Sequence, residues 1–273
     1  MKPRFQGLLV NGALAALTAI TLFPLLWMLS VSFMPAGAAS ALPPPFLPAA
    51  PTLANYRELL LQAGMLRWLC NSLLLAGAVT VISLAFNTLA GYAFAKLKFR
   101  GRERLFNALI GALIIPGQVA MMPLFLLLKQ MGLVNSYGGI IVPAMASVFG
   151  IYLVRQYART IPEELLEAAR VDGASEARIF LTVVVPLLKP VLASLAVFTF
   201  LASWNDFMWP LIVLTDDTLQ TLPVALATLS REHVQDNELM MAGSVITVLP
   251  VLALFLALQK YYIEGLLLGS VKG

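Results

Sequence analysis

No Asp, Glu, Lys or Arg occurs in residues 5–56, 68–95, 105–128, 130–154 or 239–259, and 190–215 is interrupted only by Asp206. A helix crossing a hydrocarbon core of about 30 Å needs about 20 mostly apolar residues at 1.5 Å per residue. Each window is long enough for one such helix. The first is long enough for two, but its second half carries Pro35, Pro43, Pro44, Pro45, Pro48 and Pro51. Prolines at that density strip a lipid-facing helix of its hydrogen bonds. The expectation is an all-α polytopic membrane protein, a single transmembrane domain over 1–273. Its six spans are predicted near 7–33, 68–95, 104–131, 136–157, 184–215 and 239–262, with 34–67 as an extended outer loop. The apolar stretch 8–33 outlasts the roughly 7–15 residues of a cleaved signal's core, so it reads as a retained helix.

Orientation follows from the 18 Lys and Arg residues, because cytoplasmic loops hold them preferentially. With the N-terminus inside, the outer segments hold only Arg57, Arg67, Lys129 and Arg231, and every other basic residue, from Lys2 to Lys272, falls inside. Both termini are therefore expected in the cytoplasm. The net charge of +4 becomes a topology signal and not a nucleic-acid patch. At 60% hydrophobic and 12% charged, against roughly 45–50% and about 25% in soluble domains, the chain is not an ordinary soluble enzyme. One cysteine, Cys70, excludes an internal disulfide, and one histidine, His233, excludes a multi-histidine metal site. No Gly-Lys pair occurs, so no P-loop is present. Cys70 reads as a small buried apolar residue and His233 as a solvated residue of the acidic outer loop 216–238.

One inner loop, 156–189, is longer than its neighbours. It reads Thr160-Ile161-Pro162-Glu163-Glu164-Leu165-Leu166-Glu167-Ala168-Ala169-Arg170-Val171-Asp172-Gly173-Ala174. Thr160 and Glu163 have capping-box spacing, Pro162 suits a first turn, and Gly173 suits a helix stop. Glu163 and Glu164 oppose the positive end of the helix dipole. Leu165, Leu166 and Ala169 form an apolar stripe, and a second short helix near 175–182 leads to Pro186. A helix lying on lipid would carry a Lys/Arg-rich polar face. This one carries Glu163, Glu164 and Glu167, which suits display to another protein.

Glu167-Ala168-Ala169, three residues, Gly173, nine residues, Val183, one residue and Val185-Pro186 resemble the EAA loop of ABC importer permeases. Val183 and Val185 replace the usual Ile and Leu. Gly91-Tyr92-Ala93-Phe94-Ala95, Ser203-Trp204-Asn205-Asp206-Phe207-Met208-Trp209-Pro210 and the segment 265–273 resemble the carbohydrate-uptake, maltose-type branch, specifically its smaller six-helix permease subunit. The resemblance covers nearly the whole chain. It implies an ABC importer permease fold in the bacterial cytoplasmic (inner) membrane, with a cytoplasmic coupling helix in loop 158–186. It implies import of a carbohydrate: an oligosaccharide, a sugar derivative or a polyol phosphate. The implied partners are a second permease, two ATP-binding subunits, an extracytoplasmic solute-binding protein and membrane lipid. ATP and Mg would sit on the ATP-binding subunits, with no cofactor, metal or catalytic residue on this chain. Glu163, Glu164, Glu167, Ala168, Ala169, Asp172, Gly173 and Pro186 are cast as the coupling contact.

Polar groups within apolar windows are the candidates for a translocation path, since an acid at mid-helix costs about 2.5–3.5 kcal/mol to insert. These are Asn205 and Asp206 beside Trp204 in span five, Gln118 beside Pro116 in span three, and Asn87 in span two. Interhelical hydrogen bonding is the alternative role for each. Two other functions fit a polytopic chain: an ion-gradient-driven secondary carrier and a non-transporting scaffold. The chain shows no internal repeat and one mid-membrane acid, against the repeats and paired acids of carriers. A scaffold has no need of an acidic helix at EAA spacing.

Overall fold

The computed structural model describes residues 3–61, 63–232 and 236–270. His233 lies outside them, as do Lys2 and Lys272. Helices in the first half are α1 (Pro3–Ser32), α2 (Ala54–Leu61), α3 (Met65–Lys96), α4 (Arg102–Gly111), α5 (Gly117–Gln130), α6 (Gly138–Ala144) and α7 (Val148–Arg159). The second half holds α8 (Glu163–Val171), α9 (Glu176–Ile179), α10 (Val185–Trp204), α11 (Met208–Val213), α12 (Leu222–Glu232) and α13 (Asn237–Ser270).

Among the described residues, five stretches are long and apolar enough to cross a membrane: Val10–Ser32, Met65–Lys96, Gly138–Arg159, Glu176–Trp204 and Asn237–Ala257. The third expected span, 104–131, is not one straight helix. Arg102–Ile114 and Gly117–Gln130 meet at 105°. Pro116 causes the break: it offers no N–H to the ladder and forces Ile115, the residue before it, into extended backbone at ψ 117. The fifth expected span, 184–215, is displaced and interrupted. It begins at Glu176, so the short helix expected near 175–182 is its first turn. A π-helical turn over Phe180–Val184 joins the two, with Val185 N–H bonded to Phe180 O. That wider turn makes room for Pro186, whose ring would crowd the carbonyl four residues back. The span stops at Trp204, and Asn205 to Phe207 separate it from α11. The expected loops 34–67 and 216–238 each contain a helix, α2 and α12.

The chain clusters into two compact units, 1–69 with 222–250 and 70–221 with 251–273. In the first, Asn55 Nδ2 donates to Ser32 O and Met34 O at 3.0 and 2.9 Å, closing the end of α1. A Cβ on Gly243 would lie 2.6 Å from Leu226 Cδ1, so α12 and α13 approach as closely as glycine permits. In the second unit, Tyr92, Val154, Ala158, Ile161, Leu166, Ile179, Leu188 and their neighbours form one buried core shared by α3, α7, α8, α9 and α10. A Cβ on Gly91 would lie 2.6 Å from Val154 Cβ, which accounts for glycine at that α3–α7 contact. Arg155 fixes the same contact by donating to Phe94 O at 3.2 Å and to Glu103 Oε2 at 2.8 Å. Cys70 is exposed, not buried. It shares a helix face with Leu73 and Leu74, three and four residues on, which are exposed too.

Candidate coupling surface and membrane cavity

The α8 helix starts without the expected capping box. Thr160 already closes α7, its Oγ1 donating to Tyr157 O at 2.7 Å. Only Thr160, Ile161 and Pro162 separate α7 from its successor, and the Thr160 hydroxyl is already spent on the helix it ends. Pro162 takes the N-cap position at ψ 136. Glu163 instead accepts from Lys96 Nζ at 2.9 Å, and the same ammonium donates to Ile161 O. At the other end, Gly173 has φ 80. Its N–H donates to Arg170 O and that of Ala174 to Ala169 O, both at 3.0 Å. These two bonds are the Schellman pattern, which needs a left-handed residue where Gly173 stands.

The expected apolar stripe divides. Leu166 is fully buried, with Ala169 and Ala174 packed against the same core. Leu165, about 100° around the helix from Leu166, is 47% exposed. Burying Leu166 contributes roughly 1.5–3 kcal/mol to holding α8 down. The opposite face carries Glu164, Leu165, Glu167, Ala168, Val171 and Asp172, all exposed. Val171 is 88% exposed. Carboxylates ringing exposed aliphatic side chains on an anchored helix make a surface suited to a protein partner. Pro186 stands apart in the chain, exposed in the first turn of α10.

A second clamp lies past the turn. Arg170 Nε donates to Glu176 Oε1 at 2.7 Å, and Tyr92 Oη donates to Glu176 Oε2 at 3.1 Å. The Glu176 hydrogen bond holds the Arg170 guanidinium above its already high usual range. Tyr92 and Lys96, one turn apart on α3, thus grip the loop behind and ahead of α8.

The same unit encloses a cavity of about 540 Å³ lined by Ser83, Ser147, Thr199, Ser203, Asp206 and apolar side chains from α3, α5, α6, α7 and α10. Of the five residues expected on a path, Asp206 lines it. Its half-buried carboxylate accepts from Trp209 N at 3.3 Å, in the break between α10 and α11. The other four are placed elsewhere. Asn87 is fully buried and structural: its Nδ2 donates to Ser83 Oγ at 2.9 Å, and its Oδ1 accepts from Ser147 N at 2.9 Å, tying α3 to the start of α7. Trp204 is buried and stacked on Phe200 at 5.7 Å, and its indole N–H has no hydrogen-bond partner among the described residues. Asn205, just past the end of α10, is exposed and donates to Leu201 O of that helix. Gln118 is exposed at the start of α5. Sequence reasoning missed Ser83, Ser147, Thr199 and Ser203 as cavity residues, because small hydroxyls inside apolar runs carry no charge signal. The pair Ser83 and Asn87, one turn apart on α3, was the available clue.

The family described as "Binding-protein-dependent transport system inner membrane component" matches residues 17–266. The chain is 38% identical over 274 aligned residues to the arabinooligosaccharides transport system permease protein of Halalkalibacterium halodurans, covering 99% of this chain and 98% of that one. It is 33% identical to the trehalose/maltose transport system permease protein of Thermococcus litoralis, over 97% of this chain and 96% of the other. In fold it resembles a chain from the crystal structure of a bacterial ABC transporter involved in the import of the acidic polysaccharide alginate. That likeness has TM-score 0.86 and 24% identity, over 95% of this chain and 97% of that chain.

Proposed function

The chain belongs to the inner-membrane components of binding-protein-dependent transport systems, as a permease subunit of an ABC importer of oligosaccharides or related sugars and not itself an ATPase, and from that premise we propose how its parts divide the work. The first part is α8, which docks on an ATP-binding subunit. The observation that carries this reading is its construction: Leu166 and the Lys96 and Arg170 clamps fix one face, while Glu164, Leu165, Glu167, Ala168 and Val171 are left exposed on the other. ATP and Mg belong to that partner, and a second ATP-binding subunit and a second permease complete the assembly. On this reading α8 and both termini face the cytoplasm, and the distribution of Lys and Arg supports it.

The second part is the cavity, which lies on the sugar path. Its volume of about 540 Å³ falls in the range of roughly 300–1,000 Å³ typical of small-ligand sites. Its hydroxyls and one carboxylate can replace hydrogen bonds that a sugar loses on leaving water, each worth about 1–3 kcal/mol if left unmade. The ion-gradient carrier and the scaffold fall away with family membership.

The decisive variant is Glu167→Lys in the complete importer reconstituted in proteoliposomes. The subunit should still insert and assemble with its partner permease. Docking of the ATP-binding subunit should weaken, and uptake and sugar-stimulated ATP hydrolysis should fall together. Normal coupling in this variant would sink the assignment of α8.

A further inference from the structure

Past Ser32 the chain does not head directly for water. The ring of Phe46 packs edge-on against Trp27 at 5.5 Å and Phe23 at 6.3 Å. Ser30 Oγ donates to Phe46 O at 2.6 Å. At about 1.5 Å per residue, Phe23 lies roughly 13 Å before the last residue of α1, and Trp27 roughly 7 Å. The segment therefore folds back along the end of a membrane-spanning helix by roughly one and a half to two and a half turns. It is held at both sides: Ala39 N donates to Glu238 Oε1 at 2.6 Å, and Thr52 N to Phe33 O at 2.8 Å.

Most of its apolar surface is nonetheless left uncovered. Leu42 is 94% exposed, Leu47 77% and Phe46 67%. No residue from Ala41 to Pro51 carries a hydrogen-bonding side chain, and no charge occurs between Arg4 and Arg57. Protein interfaces surround an apolar centre with a polar rim, which this segment lacks. Its backbone is also unusual. Irregular chain beside lipid must not leave N–H groups unpaired, and Pro43, Pro44, Pro45 and Pro48 have none. Between 43 and 48 only Phe46 and Leu47 retain an N–H donor. The proline density that excludes a helix suits an irregular segment to a layer poor in water.

We propose that residues 42–48 form an interfacial anchor, with Leu42, Phe46 and Leu47 seated at the boundary of headgroups and acyl chains in the leaflet where α1 ends. The occupant of this surface is phospholipid. Trp27 stands at the same level, where aromatic residues collect in membrane proteins. The anchor would fix the depth of α1 and of the loop that leads to α2. The inference needs only that α1 crosses the membrane, and it is independent of the coupling and sugar-path assignments.

The test uses the assembled importer in nanodiscs of zwitterionic and anionic phospholipid. Leu47→Cys, and separately Leu42→Cys, are made in a Cys70→Ser background and spin-labelled. Collision with oxygen, which concentrates in lipid, is compared with collision with a water-soluble nickel chelate, using a label at Thr218→Cys as reference. The oxygen-to-nickel ratio should exceed the reference several-fold at both positions. Nickel collision as frequent as at the reference would place the segment in water and overturn the proposal. Shielding from both reagents would show that a protein subunit covers it, and would overturn the proposal equally. Neither outcome bears on whether the importer couples ATP hydrolysis to uptake.

Discussion

Lys96 is the sharpest place to perturb the coupling surface. Its side chain is 4% exposed, whereas its partner Glu163 is 56% exposed. The two ends of this ion pair are therefore unequal. Lys96→Met fills most of the same volume with an apolar chain. Glu163 loses its partner but regains water, so that loss is small, as for most exposed pairs. What is not recovered is the donor to Ile161 O, since Ile161 is itself buried. An orphaned buried carbonyl costs about 1–3 kcal/mol. At 1.4 kcal/mol per factor of ten, local opening of 161–173 should become about 5- to 150-fold more frequent. Glu163→Gln keeps an acceptor for the ammonium and should cost less than Lys96→Met.

Amide hydrogen exchange in the assembled importer reads this directly. Peptides over α8 should exchange faster in Lys96→Met, in the stated range, while peptides over the first half of α13 should not change. If α8 docks the ATP-binding subunit as proposed, ATP hydrolysed per sugar imported should rise in the same variant, because a loosened α8 would dissipate part of each stroke. Unchanged exchange over α8, or a larger effect from Glu163→Gln than from Lys96→Met, would refute the reasoning.

Gly173→Ala should destabilise the end of α8 by about 1–2 kcal/mol. The cause is its φ of 80 alone, because an added Cβ meets nothing within 4 Å. Gly173→Asn should cost less, and equal exchange in all three proteins would show that the turn is unstrained. Asp206→Asn keeps the bond from Trp209 N, so assembly and basal ATP hydrolysis should survive while sugar preference or uptake KM shifts. Unchanged uptake would remove Asp206 from the path, and a complex that falls apart would reassign it to packing. In a Cys70→Ser background, an impermeant maleimide added outside should label Thr218→Cys but not Glu167→Cys or Arg104→Cys, and labelling at 104 would invert the topology.

Charge-free windows located the helices because lipid penalises charge wherever it occurs, and that penalty does not depend on tertiary packing. The breaks were harder to read. Pro116 and Pro186 both lie in expected spans, 104–131 and 184–215, yet one bends its span by 105° and the other is absorbed by a π turn. Sequence shows that a hydrogen bond is missing, but not whether neighbouring turns can close around the gap. The ends of α8 show the same division. Gly173 was legible because a left-handed stop is a local demand. The Thr160 cap was misread because its hydroxyl had a competing acceptor, Tyr157 O, in the preceding helix.

Among the path candidates, the misreadings share one cause. Asn87, Trp204 and Asp206 look alike in sequence, as polar groups in apolar runs. What separates them is whether a second element comes close enough to use the group. Gly150 allows that approach at Asn87: a Cβ there would lie 2.7 Å from Asn87 Cγ, so α7 crosses directly over the amide and consumes it. No such crossing occupies Asp206, because α10 ends two residues earlier and leaves the carboxylate at the cavity wall. The helix that bears Asn87 also links the proposed coupling surface to the cavity. Ser83 lines the cavity and Lys96 grips the coupling loop, about 20 Å apart along α3 at 1.5 Å per residue. Between them, Gly91 seats Val154, and Asn87 holds Ser147. A displacement of α8 therefore meets α3 and α7 fastened at several levels, and these two helices must carry it to the cavity together or resist it together.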